Sequence, residues 1–405
     1  MQKTMLVIIT THPIQYQAPL WQNLARDGRV PFEVWFLTRH GLEESHDEGF
    51  GKNFAWDINL LSGYPHRFMR TASRASPASF WRCRLTERLR DRLRDVRARV
   101  VWIQGWQVAA YWQAVLEAKS VGARVWLRAE SNDLSQASWW KRPLKRAVLG
   151  ELFRRVDDVL YIGSANRRLY EKYGFPAARL HPAPYAVDNA RFAAQAAALS
   201  GRGAKLREQW GIPQDAFCIL FSGKFIAKKR PMDLVNAAAM LWGRRGPQPS
   251  VHLLFVGAGK LEPELRAACQ VVVEPNAKPD LSDPRPPATF AGFLNQSEIS
   301  RAYVAADCLV LPSDTGETWG LVVNEALASG LPCIVSDGCG CAEDLVAPEW
   351  IYDCGMVTSL AAKLESLRNK SRRVSLEIPP TFDSTISSIV QVYGALSRGD
   401  HVTID

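Results

Sequence analysis

The stretch CLVLPSDTGETWGLVVNEALASGLPCIVSDG, Cys308 to Gly338, decides how the chain is read. It opens on a short apolar run, passes through a polar loop to Gly320, and continues in small and apolar residues through Ala328. Gly330 and Pro332 then stop it, and a second short apolar run follows. This is strand, loop, helix, strand, the unit of a parallel sheet covered by helices. Two glutamates, Glu317 and Glu325, stand eight positions apart with no charged residue between them. On one helix they would lie about 12 Å apart along the axis and about 80° apart around it. That is too far for two carboxylates to act on one bond. Glu317 is therefore expected in the loop, and Glu325 on a helix that begins after Trp319-Gly320. The first N–H groups of that helix, at about Gly320, Leu321 and Val322, lack intrahelical partners and carry the positive end of the dipole. They suit phosphate or sugar oxygens. Flanked by two carboxylates, the place suits a ligand with a diphosphate in the middle and a hydroxylated sugar at each end. The plainer alternative makes Glu317 a surface loop residue and Glu325 a helix residue with a distant partner.

The same rhythm runs outward through the whole chain. Strands are expected at MLVIIT, FEVWFLT, VVWIQG, RVWLRAE and DVLYIGS in the first half, and at FCILFSGK, VHLLFVGAG, TFAGFL, CLVLPS and PCIVSDG in the second. Helical stretches separate them. The fold class expected is α/β, two doubly wound Rossmann-like domains with parallel sheets facing an interdomain cleft, where a ligand binds at the C-terminal strand ends. The Ala/Gly/Ser-rich segment from Gln195 to Gly203 sets the expected boundary, giving domains 1–195 and 204–384. A final amphipathic helix, about 385–398, is expected to pack back on the first domain.

Composition narrows the class. The chain has 405 residues, 47% of them hydrophobic, and a net charge of +9, enough apolar material for two cores. Ten arginines fall between Arg70 and Arg99, but interleaved acids make part of this a solvated helix face. A second basic segment joins Trp139 and Trp140 to Lys141, Arg142, Lys145 and Arg146, as an interfacial contact with anionic inner-membrane lipid would; the alternative is a basic helix packing its Leu and Phe inward. No nucleic-acid partner is expected, because no recognition motif accompanies the charge. Eight cysteines show no metal or disulfide spacing, as expected in a reducing compartment. MLVIIT is too short for a signal segment, and no apolar run reaches the about 18 residues of a membrane span. The expected location is cytoplasmic, with peripheral contact at the inner face of the membrane.

Other motifs are weaker. FCILFSG runs into Gly223-Lys224, followed by Lys228, Lys229 and Arg230, where glycine lets backbone approach a ligand and lysines offset a diphosphate. VGAGKLEPEL permits a tight turn but lacks the third glycine of a dinucleotide fingerprint. His181 and His252 read as packed or surface residues rather than ligands.

Taken together these motifs resemble a known family. ETWGLVVNEALASGLP is similar to the E-x7-E motif and following helix of family 4 retaining glycosyltransferases, which have the GT-B fold. GKFIAKKRP resembles that family's phosphate loop. LLFVGAGKLEPEL, TFAGFLNQSEISRAYVAADCLVLPS and SDGCGCAEDLV match the rest of its second domain in kind and order. THPIQYQAPLWQNLA, WDINLLSGYPHRF, RAES and YAVDNARF resemble the first domain of a bacterial branch. The resemblance implies transfer of a sugar, with retention, from a UDP- or GDP-linked donor to a glycan or lipid-linked acceptor in cell-surface polysaccharide assembly. It implies that Lys224 and Lys229 hold the diphosphate, that Glu325 binds ribose, and that Glu317 binds the transferred sugar. Gly223 and the N–H groups at Gly320, Leu321 and Val322 would touch phosphate or sugar, and Gly292 and Phe293 would lie near the base. His12, Gln15, Tyr16, Gln17, Arg128 and Glu130 would face the acceptor. The chain contains no D-x-D, so no metal and no other cofactor is expected; the lysines take that part. Four features depart from the family pattern: Lys224 replaces the common arginine, Arg230 a glycine and Gln104 a histidine, and THPIQYQ stands where a glycine pair often follows the first strand. Two other classes share these features. One is a nucleotide-sugar epimerase or hydrolase of the same fold; the other is a catalytically silent scaffold or sensor, in which loss of the charged donor residues would be expected.

Overall fold

The computed structural model describes residues 4–42, 45–47, 51–73, 75–134, 140, 142–242, 250–272, 279–369 and 376–398. The chain divides into two compact units. The first comprises residues 1–45, 58–186 and 380–405; the second comprises 46–57 and 187–379.

In the first unit, seven strands form one parallel sheet. They are β1 (Met5–Thr10), β2 (Phe32–Phe36), β5 (His66–Phe68), β6 (Ala98–Ile103), β7 (Arg124–Leu127), β8 (Asp158–Tyr161) and β9 (Leu180–Pro182). Ser45–Asp47 (β3) and Lys52–Phe54 (β4) make a separate short ribbon, which from residue 46 onward counts with the second unit. The sheet order is β5-β2-β1-β6-β7-β8-β9, all pairs parallel. β1 is central and its residues from Leu6 to Ile9 are wholly buried, as a strand covered on both faces must be. Trp21, Trp35, Trp102 and Trp126 are fully buried around it. The last helix, Phe382–Arg398, belongs to this unit: Thr385 donates to the Pro184 carbonyl and Tyr393 to that of Thr4, each at 2.7 Å.

The second unit repeats the plan with β10 (Phe217–Ser222), β11 (Val251–Val256), β12 (Gln270–Val271), β13 (Pro287–Gly292), β14 (Cys308–Leu311), β15 (Cys333–Ser336) and β16 (Ile351–Tyr352), in the order β12-β13-β11-β10-β14-β15-β16. All of these pairs are parallel. In each sheet the order reverses beside the first strand, between β1 and β6 and between β10 and β14. Those are the topological switch points at which open α/β sheets bind ligands.

The crossing into the second unit falls between Ala186 and Val187, ahead of the expected stretch from Gln195 to Gly203. The Ala-rich segment is no linker. It is the helix Asn189–Leu199, capped by Asp188, whose carboxylate accepts from Arg191 N–H at 3.0 Å. Arg191 and Gln195 on this helix bond to Gln296 and Ser300 of the second unit. Alanine is the best helix former, so the composition marked a helix rather than a break.

In the basic segment after β7, Trp139 and Lys141 lie outside the described residues. Arg142–Phe153 is a helix that buries only Leu149, Leu152 and Phe153. Arg142, Lys145 and Arg146 are exposed, together with Trp140 (63%) and Leu144 (70%). No helix of the described residues is long and apolar enough to cross a membrane.

Candidate functional site

At the second unit's switch point the chain leaves β10 at Ser222, and Gly223 adopts φ +150°. The following loop lies directly on the turn after β11: Gly223 N–H donates to Val256 and Phe225 N–H to Ala258, both at 2.9 Å. A Cβ on Gly257 would overlap the Gly223 carbonyl, and one on Gly259 would stand 2.6 Å from Phe225 O. The glycines of VGAG thus serve backbone-to-backbone contact with the lysine loop. Lys224 follows, and Lys228 and Lys229 sit on the single turn Ala227–Lys229. Arg230, which stands where the family pattern has glycine, is left-handed at φ +47°. Its guanidinium is held by the Asp233 carboxylate at 2.6 Å. The geometry accounts for a glycine preference there, since an L-residue is strained in that conformation.

The loop after β14 faces this turn. Asp314 N–H donates to the Lys228 carbonyl and Glu317 N–H to that of Asp314, both at 2.9 Å. Glu317 lies in this loop and Glu325 on the helix Leu321–Ala328, so the two carboxylates stand on different elements. Glu317 pairs with Lys229 Nζ, the two side chains being only 12% and 16% exposed. Two residues expected to hold different parts of one ligand are therefore bonded to each other. Trp319 is buried, its indole N–H donating to the side-chain oxygen Oδ1 of the buried Asn324 at 2.9 Å. That bond fixes the loop to the helix. Gly320, at φ +110°, has Leu311 and Cys341 where a Cβ would go. The helix closes in a Schellman motif, Leu331 N–H to Ala326 at 2.9 Å and Gly330 N–H to Leu327 at 3.0 Å.

Glu325 accepts from Tyr303 O–H at 2.7 Å. Burial raises its carboxyl above the usual range, against the opposing pull of Tyr303, Gln296 and Arg191. The same surroundings push the Tyr303 hydroxyl well up, through burial first and the Glu325 charge second. Arg191 donates to the Gln296 carbonyl at 2.8 Å and to its side-chain oxygen at 2.6 Å. Tyr303, Gln296 and Arg191 were not legible as site residues, since nothing in their spacing ties them to Glu325. Gly292 ends β13 at φ +73°, with Phe293 next.

The residues expected to face an acceptor lie in the first unit, and only some of them meet. Tyr16 O–H donates to Glu130 Oε1 at 3.1 Å, and Tyr185 O–H donates to the same oxygen. Arg128 is 3% exposed. It donates Nη2 to the Ala183 carbonyl at 3.0 Å and lies 4.3 Å from the Tyr185 ring centroid. Its Nε and Nη1 have no hydrogen-bond partner among the described residues. Burial lowers its affinity for its proton, with neighbouring Tyr185 and Glu130 opposing. His12 contacts the His40 ring and Thr11 instead. Burial, then His40, pushes its imidazole down to about 4, so it is neutral at pH 7. Gln17 is buried and accepts from Thr10 Oγ1 at 3.3 Å, which turns it into the core. Gln15 is half-buried in the turn before the helix Ala18–Asp27. Gln104 is buried at the end of β6, with Nε2 unpartnered among the described residues. Tyr185, within YAVDNARF, is the member of this cluster that sequence reasoning passed over. His181 and His252, for which packed and surface positions were both open, are both packed, bonded to Asp158 at 3.0 Å and to Thr289 at 2.9 Å.

Residues 204–376 match the family "Glycosyl transferases group 1", and residues 15–186 match "Glycosyl transferase 4-like domain". Among curated relatives, the chain is 28% identical over 243 residues to a D-inositol 3-phosphate glycosyltransferase of Thermomonospora curvata, covering 56% of this chain and 54% of that one. It is 31% identical over 197 residues to a GDP-mannose-dependent alpha-mannosyltransferase of Mycobacterium tuberculosis, covering 49% and 43%. The matched parts span about half the length of these relatives. Among solved structures, a glycosyltransferase of Rickettsia africae superposes with a TM-score of 0.66 at 14% identity, covering 98% of this chain and all of that one. Anabaena HepE, solved with UDP and glucose, superposes with a TM-score of 0.60 at 14% identity, covering 96% and 94%. At such identity these likenesses establish the fold alone. With both sheets doubly wound and the two family matches together spanning most of the sequence, the chain belongs to the group 1, family 4-like glycosyltransferases of the GT-B fold.

Proposed function

We propose that the protein transfers a sugar, with retention of configuration, from a nucleotide-sugar donor to a glycan or lipid-linked acceptor in cell-surface polysaccharide assembly. The observation that carries this reading is the convergence of Glu317, Lys229 and the start of the helix bearing Glu325 at the switch point of the second unit. In this reading Lys224 and Lys229 take the donor diphosphate and stabilise the charge that grows on the leaving group. Gly223 and the N–H groups at Gly320, Leu321 and Val322 supply close backbone contact. Glu317 accepts from hydroxyls of the transferred sugar, and Glu325 from those of ribose. Attack occurs on the face from which the diphosphate departs, so the departing phosphate oxygen takes the acceptor proton and no side-chain base is required. The lysines supply the positive charge, and the reaction proceeds without a metal ion. Tyr16, Arg128 and Glu130, with His12 and Gln15 nearby in sequence, belong to the acceptor side, while Gln17, turned into the core, does not.

The test is a thermal-shift screen of UDP- and GDP-linked sugars in the presence of chelator, followed by product analysis with the best ligand. A glycosylated acceptor with the donor's anomeric configuration is expected. Release of free sugar or an epimerised nucleotide in place of transfer would favour the hydrolase or epimerase class, and a bound but unreacted donor the silent one. Glu325→Ala is expected to weaken nucleotide binding about 10-fold or more, the loss of hydrogen bonds to a charged group. Unchanged affinity by calorimetry removes Glu325 from the ribose site.

The exposed Trp140, Leu144, Arg142, Lys145 and Arg146 support a further part of the reading, contact with anionic lipid near a lipid-linked acceptor. Co-flotation with phosphatidylglycerol vesicles is expected, and is expected to be lost in Arg142→Glu/Lys145→Glu. Equal flotation of the variant rejects this contact.

A further inference from the structure

The arginine-rich stretch of the first unit folds into a closed loop with an aromatic tip. Thr71 and Leu85 pair in an antiparallel bridge, extended by Ala72 N–H to the Arg84 carbonyl at 3.0 Å and Thr86 N–H to that of Arg70 at 3.1 Å. The Gln113 side chain accepts from Leu85 N–H at 2.8 Å and donates to the Leu85 carbonyl at 3.3 Å. Cys83 is wholly buried, and the Phe80 and Cys83 carbonyls accept from Ala109 and Ala110 N–H at 3.0 and 2.9 Å. Those amides open the helix Ala109–Ser120, which follows β6. The tip is thus pinned at the C-terminal end of the sheet, where Tyr16, Gln104 and Glu130 follow β1, β6 and β7.

The pinned backbone holds two aromatic side chains out in solvent. Phe80 is 37% and Trp81 78% exposed, and their rings pack edge to face, centroids 4.9 Å apart. Arg82, Arg84 and Arg88, next in the chain, are exposed and form no ion pair among the described residues. Residues 70–88 hold five arginines against one acid, Glu87. That carboxylate is already taken, by Arg92 at 2.8 Å and by Arg70 N–H at 2.7 Å. A tip this exposed has no walls with which to grip a glycan chain, and its shape fits a fluid surface instead. The apolar body and polar N–H of tryptophan suit the headgroup level of a bilayer, and unpaired arginines suit anionic lipid.

We propose that Phe80 and Trp81 insert among the headgroups of an anionic bilayer, steered by Arg82, Arg84 and Arg88, and turn this end of the sheet to the lipid. The substrate class that this placement serves is a lipid-linked acceptor rather than a free glycan. The proposal rests on the reading of the first unit as the acceptor side. It stands apart from the contact at Trp140 to Arg146, and two contacts hold where one is marginal.

Flotation of the whole protein with phosphatidylglycerol vesicles, set against phosphatidylcholine vesicles, tests this. The wild type is expected to float with the first and not with the second. Phe80→Ala/Trp81→Ala is expected to weaken vesicle binding about 10- to 100-fold, through lost apolar burial. Arg82→Glu/Arg84→Glu is expected to weaken it about 10-fold or more, both variants keeping the wild-type melting temperature and nucleotide affinity. Bromine-labelled phosphatidylglycerol is expected to quench tryptophan emission less in Trp81→Phe than in the wild type at equal bound fraction. Equal flotation of Phe80→Ala/Trp81→Ala overturns the proposal, while the contact at Trp140 to Arg146, read by its own variant, stands. If the wild type does not float, both contacts fall. Binding to soluble alginate without flotation assigns the surface to an acidic glycan and also overturns the proposal. With the donor selected by thermal shift and vesicles made from the source cells' own lipids, sugar label is expected in the lipid-extractable fraction. Label only in water-soluble glycan rejects the lipid-linked acceptor and leaves the sugar-transfer reading intact.

Discussion

Glu317→Ala is expected to lower sugar transfer by about 100- to 1000-fold while nucleotide affinity stays within about threefold. The magnitude is that of removing one preorganised polar group from a transition state. The split between turnover and affinity follows from the pairing seen in the structure. Lys229 and Glu317 neutralise each other within a largely enclosed site, so neither charge is left alone there, which would be costly. In the proposed reading, a donor diphosphate competes with Glu317 for Lys229 and releases the carboxylate toward the sugar hydroxyls. On that reading, removing Glu317 takes away the sugar contact but leaves the lysine for the diphosphate. Lys229→Ala should behave differently, losing affinity and turnover together and leaving the Glu317 carboxylate without this partner. The two changes share one contact, so the double variant should fall short of the sum of the singles. Full transfer by Glu317→Ala, measured with saturating donor, would sink the assignment.

Much of this arrangement was legible in the sequence, and the limits have physical causes. The ten central strands stand out as apolar runs because strands buried on both faces must be continuously hydrophobic. In the two large sheets the strands that escaped reading, His66–Phe68, Leu180–Pro182, Gln270–Val271 and Ile351–Tyr352, are only two or three residues long and lie at the sheet edges. There the neighbouring strand's free edge, rather than local preference, makes the pairing. The split of Glu317 into the loop and Glu325 onto the helix followed from helix geometry alone. Their partners did not: Lys229 is 88 residues from Glu317 and Tyr303 is 22 from Glu325, so only the strand order brings them together. The segment that ends at Asp57 is the extreme case. It meets Asn295 and Ser297 across 240 residues, and no periodicity connects them.

The glycine of VGAG that looked ambiguous in sequence carries the second large effect. Gly257→Ala is expected to lower the melting temperature by about 10 °C or more and to abolish nucleotide binding. At φ +132° the added Cβ would overlap the Gly223 carbonyl oxygen and stand 2.9 Å from its carbon. A methyl group has no rotamer to escape into, so one of two backbones must move. Neither moves freely. Gly257 N–H is tied to the Gly292 carbonyl at 2.8 Å, and Gly223 N–H to Val256 at 2.9 Å. Strain of this kind together with broken backbone bonds costs several kcal/mol, and about 2–4 °C per kcal/mol is expected for a unit of this size. Any relaxation displaces Gly223 and the lysine loop that follows it, and with them the diphosphate site proposed there. Gly330→Ala supplies the comparison. It too has positive φ, at +80°, but nothing lies within 4 Å of the added Cβ, so only the backbone penalty of about 1–2 kcal/mol remains and nucleotide binding should persist. If the two alanine variants melt together and both bind nucleotide, close approach of the two loops is not what Gly257 provides.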